Sequence, residues 1–142
     1  MTYDNAGQQS DPARKEVTRL APEQASKRLD AGGVVVIDVG EEWQLRERGT
    51  IPGARNIPRD EIASKAGASG EADPALEDRH QEIILTCGGG GKATFAAGVL
   101  QELGFTNVSI IDGGCRSWQK AGLELKPYPA PISGMASSRS NK

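Results

Sequence analysis

The stretch that decides the fold is "EIILTCGGGGKATFAAGVLQELG", Glu82 to Gly104. Its first half, "EIILT", is a short apolar run rich in β-branched residues, the pattern of a strand buried on both faces. Its second half spaces Phe95, Val99 and Leu103 at i, i+4 and i+8, with Ala96 and Leu100 beside them, and stops at Gly104. That spacing predicts an amphipathic helix capped by Gly104. Between strand and helix lie Cys87, four consecutive glycines and Lys92. Fixing four glycines costs much conformational entropy, so the loop needs a compensating purpose.

The same alternation extends outward on both sides. "APEQASKRLDAGG" has Pro22 at a first helical position, Ala25 and Leu29 four apart, and a glycine stop. "VVVIDV" (34–39) is a second continuous β-branched strand. "EEWQLRER" (41–48) is a short helix ended by Gly49, and "ARNIP" (54–58) a short strand stopped by Pro58. "NVSIID" (107–112) is a further strand and "CRSWQKAG" (115–122) a last helix. Strands alternating with helices predict an α/β fold: a central, mainly parallel sheet of about five strands with helices on both faces. The folded domain is placed at residues 17–126. The polar residues 1–16 and the proline- and serine-rich residues 127–142 are expected to be disordered tails.

Composition narrows the function. Seventeen Lys and Arg against nineteen Asp and Glu leave a net charge of −2 with both signs interspersed, so no basic block marks a nucleic-acid partner. No apolar run has the length of a membrane span. One histidine, His80, and dispersed acids offer no metal-ligand spacing, and no metal or cofactor is expected. Two cysteines, with no apolar N-terminal stretch, predict reduced thiols and a cytoplasmic location.

On this map the glycine loop leaves the carboxyl end of a parallel strand, where open α/β sheets keep their binding sites. Gly88, Gly89, Gly90 and Gly91 can curl so that successive N–H groups converge on an anion, backed by the positive end of the next helix. A thiol there is stabilised as the thiolate and becomes a nucleophile without a general base. His80 precedes the same strand and is expected at the opposite edge. The candidate site is therefore Cys87 as nucleophile, with Gly88, Gly89, Gly90, Gly91, Lys92 and Ala93 around the anion. A plain turn with a small buried cysteine remains the alternative reading of these residues. A nucleoside-triphosphate loop is excluded, because that spacing needs glycine where Thr86 stands and Ser or Thr where Ala93 stands.

Taken together, four segments resemble a single-domain rhodanese, the thiosulfate sulfurtransferase family. They are the strand ending Asp38-Val39, "GTIPGARNIP" (49–58), the six-residue loop Cys87 to Lys92, and "DGGCRSWQKAGL" (112–123). The resemblance implies a ping-pong reaction. Cys87 takes the outer sulfur of thiosulfate or a similar donor, holds it as a persulfide, and passes it to cyanide or to a thiol, including a protein thiol. It implies no cofactor. It also implies sulfur rather than phosphate chemistry, since related phosphatases and arsenate reductases use a loop one residue longer.

Lys92 stands where the family has arginine, which keeps the charge without the planar fork and implies low activity on thiosulfate. Gly40 and Thr50 replace a customary arginine and histidine. Two function classes follow, an active sulfurtransferase and a catalytically weak anion-binding or protein-interaction module; a cysteine phosphatase or arsenate reductase is third. Asp38 is read as structural, Trp43 and Trp118 as packing, and Arg55 and Arg59 as surface charge. Cys115, at the same sheet edge as Cys87, is read as a packed small residue, with a resolving thiol as the alternative.

Overall fold

A computed structural model describes residues 16–129, together with the backbone of Thr2–Tyr3 (β1) and Gln9–Ser10 (β2), which pair antiparallel. The expected disordered tails, 1–16 and 127–142, fall for the most part outside these residues.

Five strands form one wholly parallel sheet: Thr18–Leu20 (β3), Val34–Asp38 (β4), Arg55–Asn56 (β5), Glu82–Thr86 (β6) and Val108–Ile111 (β7). Their order is β3-β7-β6-β4-β5, so the three most apolar runs are the three central strands. Continuous β-branched sequence suits strands covered on both faces. Neither edge strand resembles them: β3, "TRL", has no apolar run and is not visible as a strand in the sequence. It forms because a parallel partner, β7, aligns Leu20 with Ile111 and buries it.

Helices Pro22–Ala31 (α1), Glu42–Arg48 (α2), Gly91–Glu102 (α3) and Gly114–Lys120 (α4) lie where the sequence predicts helices. Residue parity along β6 sorts the core into two halves. Ile83, Leu85 and then Cys87 pack with Ala93, Ala96, Ala97 and Leu100 of α3. Ile84 packs on the other face with Ala25 of α1 and with Cys115 and Trp118 of α4. Trp118 is buried, as expected, and its indole N–H donates to the Glu124 carbonyl at 3.0 Å.

Two expectations are corrected. Of the apolar set on α3, Phe95 does not face inward: its ring is 56% exposed, while Ala96 and Leu100 are buried together with Ala93 and Ala97. Alanines at i, i+3 and i+4 let the helix backbone sit close on the sheet, which swings Phe95 outward, where the Arg59 guanidinium stacks 5.2 Å from its centroid. Trp43, read as packing, is 58% exposed because Leu45 is the buried residue of α2. Between β5 and β6 the chain makes only single helical turns, at Arg59–Glu61, Ser64–Ala68 and Pro74–Leu76, which close the α3 face with Ile62, Ala66 and Leu76.

Candidate active site

The carboxyl ends of β4, β6 and β7 meet at one edge, and the cysteine loop leaves from the middle of it. Gly90 takes a left-handed φ of 105° as the N-cap of α3, a conformation that a side chain would strain. The chain therefore curls back, and the Gly90 amide donates to the Cys87 sulfur at 3.0 Å. No side chain caps α3, which leaves its first-turn amides directed at the loop. Cys87 is only 3% exposed, so its sulfur sits within the loop rather than above it.

The second wall comes from α4. The Cys115 amide donates to the Cys87 carbonyl at 2.7 Å and the Arg116 amide to the Gly88 carbonyl at 3.0 Å. This approach requires Gly114, whose φ is +64° and where a Cβ would overlap the Cys87 carbonyl. The Asp-Gly-Gly run thus has a mechanical meaning: it lets a helix start press against the outside of the loop and hold its carbonyls away from the sulfur.

Beneath the loop, Asp38 is fully buried and its carboxylate gathers four hydrogen bonds from three residues. Its carboxylate accepts from the Gly40 amide at 2.9 Å, the Thr50 hydroxyl at 2.6 Å, and both terminal nitrogens of Arg48 at 3.0 and 3.2 Å. The structural reading of Asp38 holds. The replacements at positions 40 and 50 also find a reason. Thr50 supplies a hydroxyl donor, and Gly40 leaves the space that Arg48 occupies, since a Cβ there would stand 2.9 Å from Arg48 Nη2. Burial alone would lower the Arg48 pKa, but the hydrogen bond to Asp38 and its charge outweigh it, and the net effect is a raise. Arg48 is thus a permanent cation.

Cys115 joins this cluster. Arg48 Nη1 donates to its sulfur at 3.4 Å, with the Thr86 hydroxyl at 3.7 Å and Asp38 Oδ2 at 3.8 Å. Burial, and then the Asp38 charge, push its thiol up to about 11 against the opposing pull of Arg48. A thiol that stays protonated at neutral pH is a poor resolving nucleophile. Its side chain also belongs to the opposite half of the core from Cys87. The packed reading fits Cys115.

Lys92 Nζ donates to Gln44 Oε1 at 3.2 Å, which ties the start of α3 to α2. Arg55 pairs with Asp73 at 2.8 Å and Arg59 with Asp60 at 3.3 Å, both on the surface. A cavity of about 760 Å³ lies beside β5, lined by Thr50, Arg55, Asp73 and Tyr128 among others, and none of Cys87 to Ala93 lines it. His80 stands at the amino end of β6, bonded to Thr106 at 3.1 Å, away from the loop as its sequence position predicts. Among the described residues no group of His, Cys, Asp and Glu could hold a metal ion, and no helix is long and apolar enough to cross a membrane.

Two site residues escape sequence reading. Arg48 looks like an ordinary basic residue in the last turn of α2, and only folding carries it to Asp38. Arg116 does carry a signal, since it follows the Asp-Gly-Gly run at the same edge as Cys87.

The central strand of a parallel sheet thus ends in a cysteine, with an amide curled onto its sulfur and a glycine-paved helix start behind it, and the model of the rhodanese-like domain matches residues 21–121. The chain belongs to the rhodanese-like domain family. Among rhodanese-like relatives, the thiosulfate sulfurtransferase GlpE of Pseudomonas aeruginosa (strain LESB58) is 30% identical over 115 residues, covering 81% of this chain and 90% of that protein. The rhodanese domain-containing protein CG4456 of Drosophila melanogaster is 32% identical over 96 residues, covering 63% of this chain and 86% of its own. Among solved structures, the human single-domain sulfurtransferase TSTD1 superposes with a TM-score of 0.63 at 24% identity, covering 73% of this chain and 96% of that one. A Rhodopseudomonas palustris protein, RPA3614, described as a possible tyrosine phosphatase, superposes at 0.71 and 24% identity, covering 78% and 85%. At that identity both likenesses speak for the fold alone.

Proposed function

We propose that the protein is a sulfurtransferase in which Cys87 carries a sulfane sulfur as a persulfide. The observation that carries this reading is the Gly90 amide set 3.0 Å from the Cys87 sulfur inside a bare glycine loop. The relatives named thiosulfate sulfurtransferase support it, and thiosulfate is the proposed donor. The Cys87 thiolate attacks the outer sulfur of thiosulfate; the new S–S bond forms as the old one breaks, and sulfite leaves with the electron pair. The terminal persulfide sulfur is then attacked by a thiolate or cyanide, which releases the Cys87 thiolate and a new persulfide or thiocyanate. Both steps move negative charge between sulfurs within reach of the same fixed amides, so preorganised donors take the place of a general base. Gly88 to Gly91 supply backbone donors, and Lys92 and Ala93 complete the first turn of α3 around the anion. The acceptor is a thiol, either small or on a protein, and the proposed setting is the cytoplasm.

The competing reading, an anion-binding module without turnover, is favoured by the tether of Lys92 to Gln44. The experiment is intact-protein mass measurement after incubation with thiosulfate. Wild-type protein should gain one sulfur atom and lose it to cyanide or a thiol, and Cys87→Ser should gain none. Wild-type protein that stays unloaded with every sulfane donor offered rejects turnover and leaves the binding module.

A further inference from the structure

We infer that two guanidinium groups from outside the cysteine loop, those of Arg48 and Arg116, grip the anionic end of the sulfur donor, so that the site accepts an oxyanion-bearing donor although its loop ends in lysine. This rests on the sulfurtransferase reading above. Both groups stand against the loop's bare glycines. A Cβ at Gly88 would stand 3.8 Å from Arg48 Nε, and one at Gly89 would stand 3.7 Å from Arg116 Nη1. Each guanidinium thus stands at ordinary contact distance from the loop, beside the space that its glycines leave open.

The two differ in how they are held. Arg48 is locked: its Nη atoms are spent on Asp38, on the Gly49 carbonyl at 2.7 Å and on the Cys115 sulfur. Among the described residues its Nε–H has no acceptor, and that is the atom that faces the loop. Arg116 is exposed and its guanidinium has no acceptor among the described residues, while its own amide, bonded to the Gly88 carbonyl, fixes the base of the side chain beside the loop. Arg48 is neutralised by Asp38 and supplies direction. Arg116 has no counter-charge and supplies net attraction. A sulfonate-like end with several oxygens suits such a pair, since a planar guanidinium meets oxygens along fixed directions and an ammonium does not.

Ping-pong kinetics separate the two half-reactions, which makes the role testable. In Arg116→Ala, a surface change, kcat/KM for thiosulfate should fall about tenfold while kcat/KM for an uncharged thiol acceptor stays within about twofold of wild type. Added salt should lower the wild-type donor kcat/KM more steeply than that of the variant. Arg48→Lys, which keeps a cation for Asp38, should show the same donor-selective loss. Unchanged thiosulfate kinetics in both variants, or equal losses in both half-reactions, overturn the inference. A binding measurement keeps its failure distinct from that of the sulfurtransferase reading. Calorimetry of thiosulfate on Cys87→Ser, which cannot turn over, should show binding that Arg116→Ala weakens about tenfold. If wild-type protein never loads sulfur but this binding and its loss are seen, turnover is rejected and the two-arginine anion site stands; if neither is seen, both fall.

Discussion

Cys87 and Cys115 are alike by most simple measures. Both are free, both follow parallel strands at the same sheet edge, and they are 3% and 1% exposed. Their surroundings are opposite. Cys87 is met by a backbone amide and faces a helix start; Cys115 is met by a carboxylate, an arginine already committed to that carboxylate, and a hydroxyl. Burial therefore does not decide which sulfur can carry chemistry. The sign and rigidity of the nearest dipoles decide it, and those are set by the loop on one face and by Asp38 on the other.

The largest expected effect is in alkylation. At neutral pH Cys87 should react with iodoacetamide at least about a hundredfold faster than Cys115, read by peptide mass mapping, because only the thiolate attacks and burial beside the Asp38 charge holds the Cys115 thiol protonated. Comparable rates at the two sites would break the comparison.

The wall between the two sulfurs is the next test. Gly114→Ala places a methyl group against the Cys87 carbonyl at a left-handed φ, and should cost about 3 kcal/mol or more by denaturant unfolding. A near-neutral result would show that α4 can retreat from the loop without loss.

Asp38→Asn sharpens the electrostatic half. Removing a buried charge from its partner should destabilise by about 3 kcal/mol, measured the same way. It also removes one of the causes that raise the Cys115 thiol, so Cys115 alkylation should quicken in the folded variant.

A smaller effect concerns alkaline pH. The Cys115 thiol is raised in the folded state from about 9 to about 11, so the unfolded chain loses its proton first. Stability from this group is intact below about pH 9 and is lost as pH rises toward 11, by an amount on the order of 2 kcal/mol. Cys115→Ala should flatten that part of the pH–stability curve. An unchanged slope would show that the thiol is not held protonated by its cage.

The smallest expected effect is at Lys92. Lys92→Arg should leave thiosulfate use equal or slightly raised, and Lys92→Ala should lower it severalfold through lost charge. Equal rates in all three proteins would assign the anion entirely to the loop amides and the outer arginines.

The sequence by itself determined the framework. Continuous β-branched runs are forced into strands covered on both faces, because only there is all that apolar surface buried, and three of them named the three central strands. Glycines at helix ends and across Cys87 to Lys92 located the candidate site, because left-handed backbone and close approach leave few other choices of residue. The tertiary structure alone decided the rest. β3 is a strand only because β7 offers it a partner, since a three-residue segment has no local reason to extend. Phe95 and Trp43 face outward because alanines and Leu45 pack closer, a competition that spacing along one helix does not reveal. Arg48 reaches Asp38 from ten residues further along the chain, and its neighbourhood with Cys115 joins three elements. Such meetings depend on where helices land on the sheet, and that is fixed by the whole core at once rather than by any stretch of sequence.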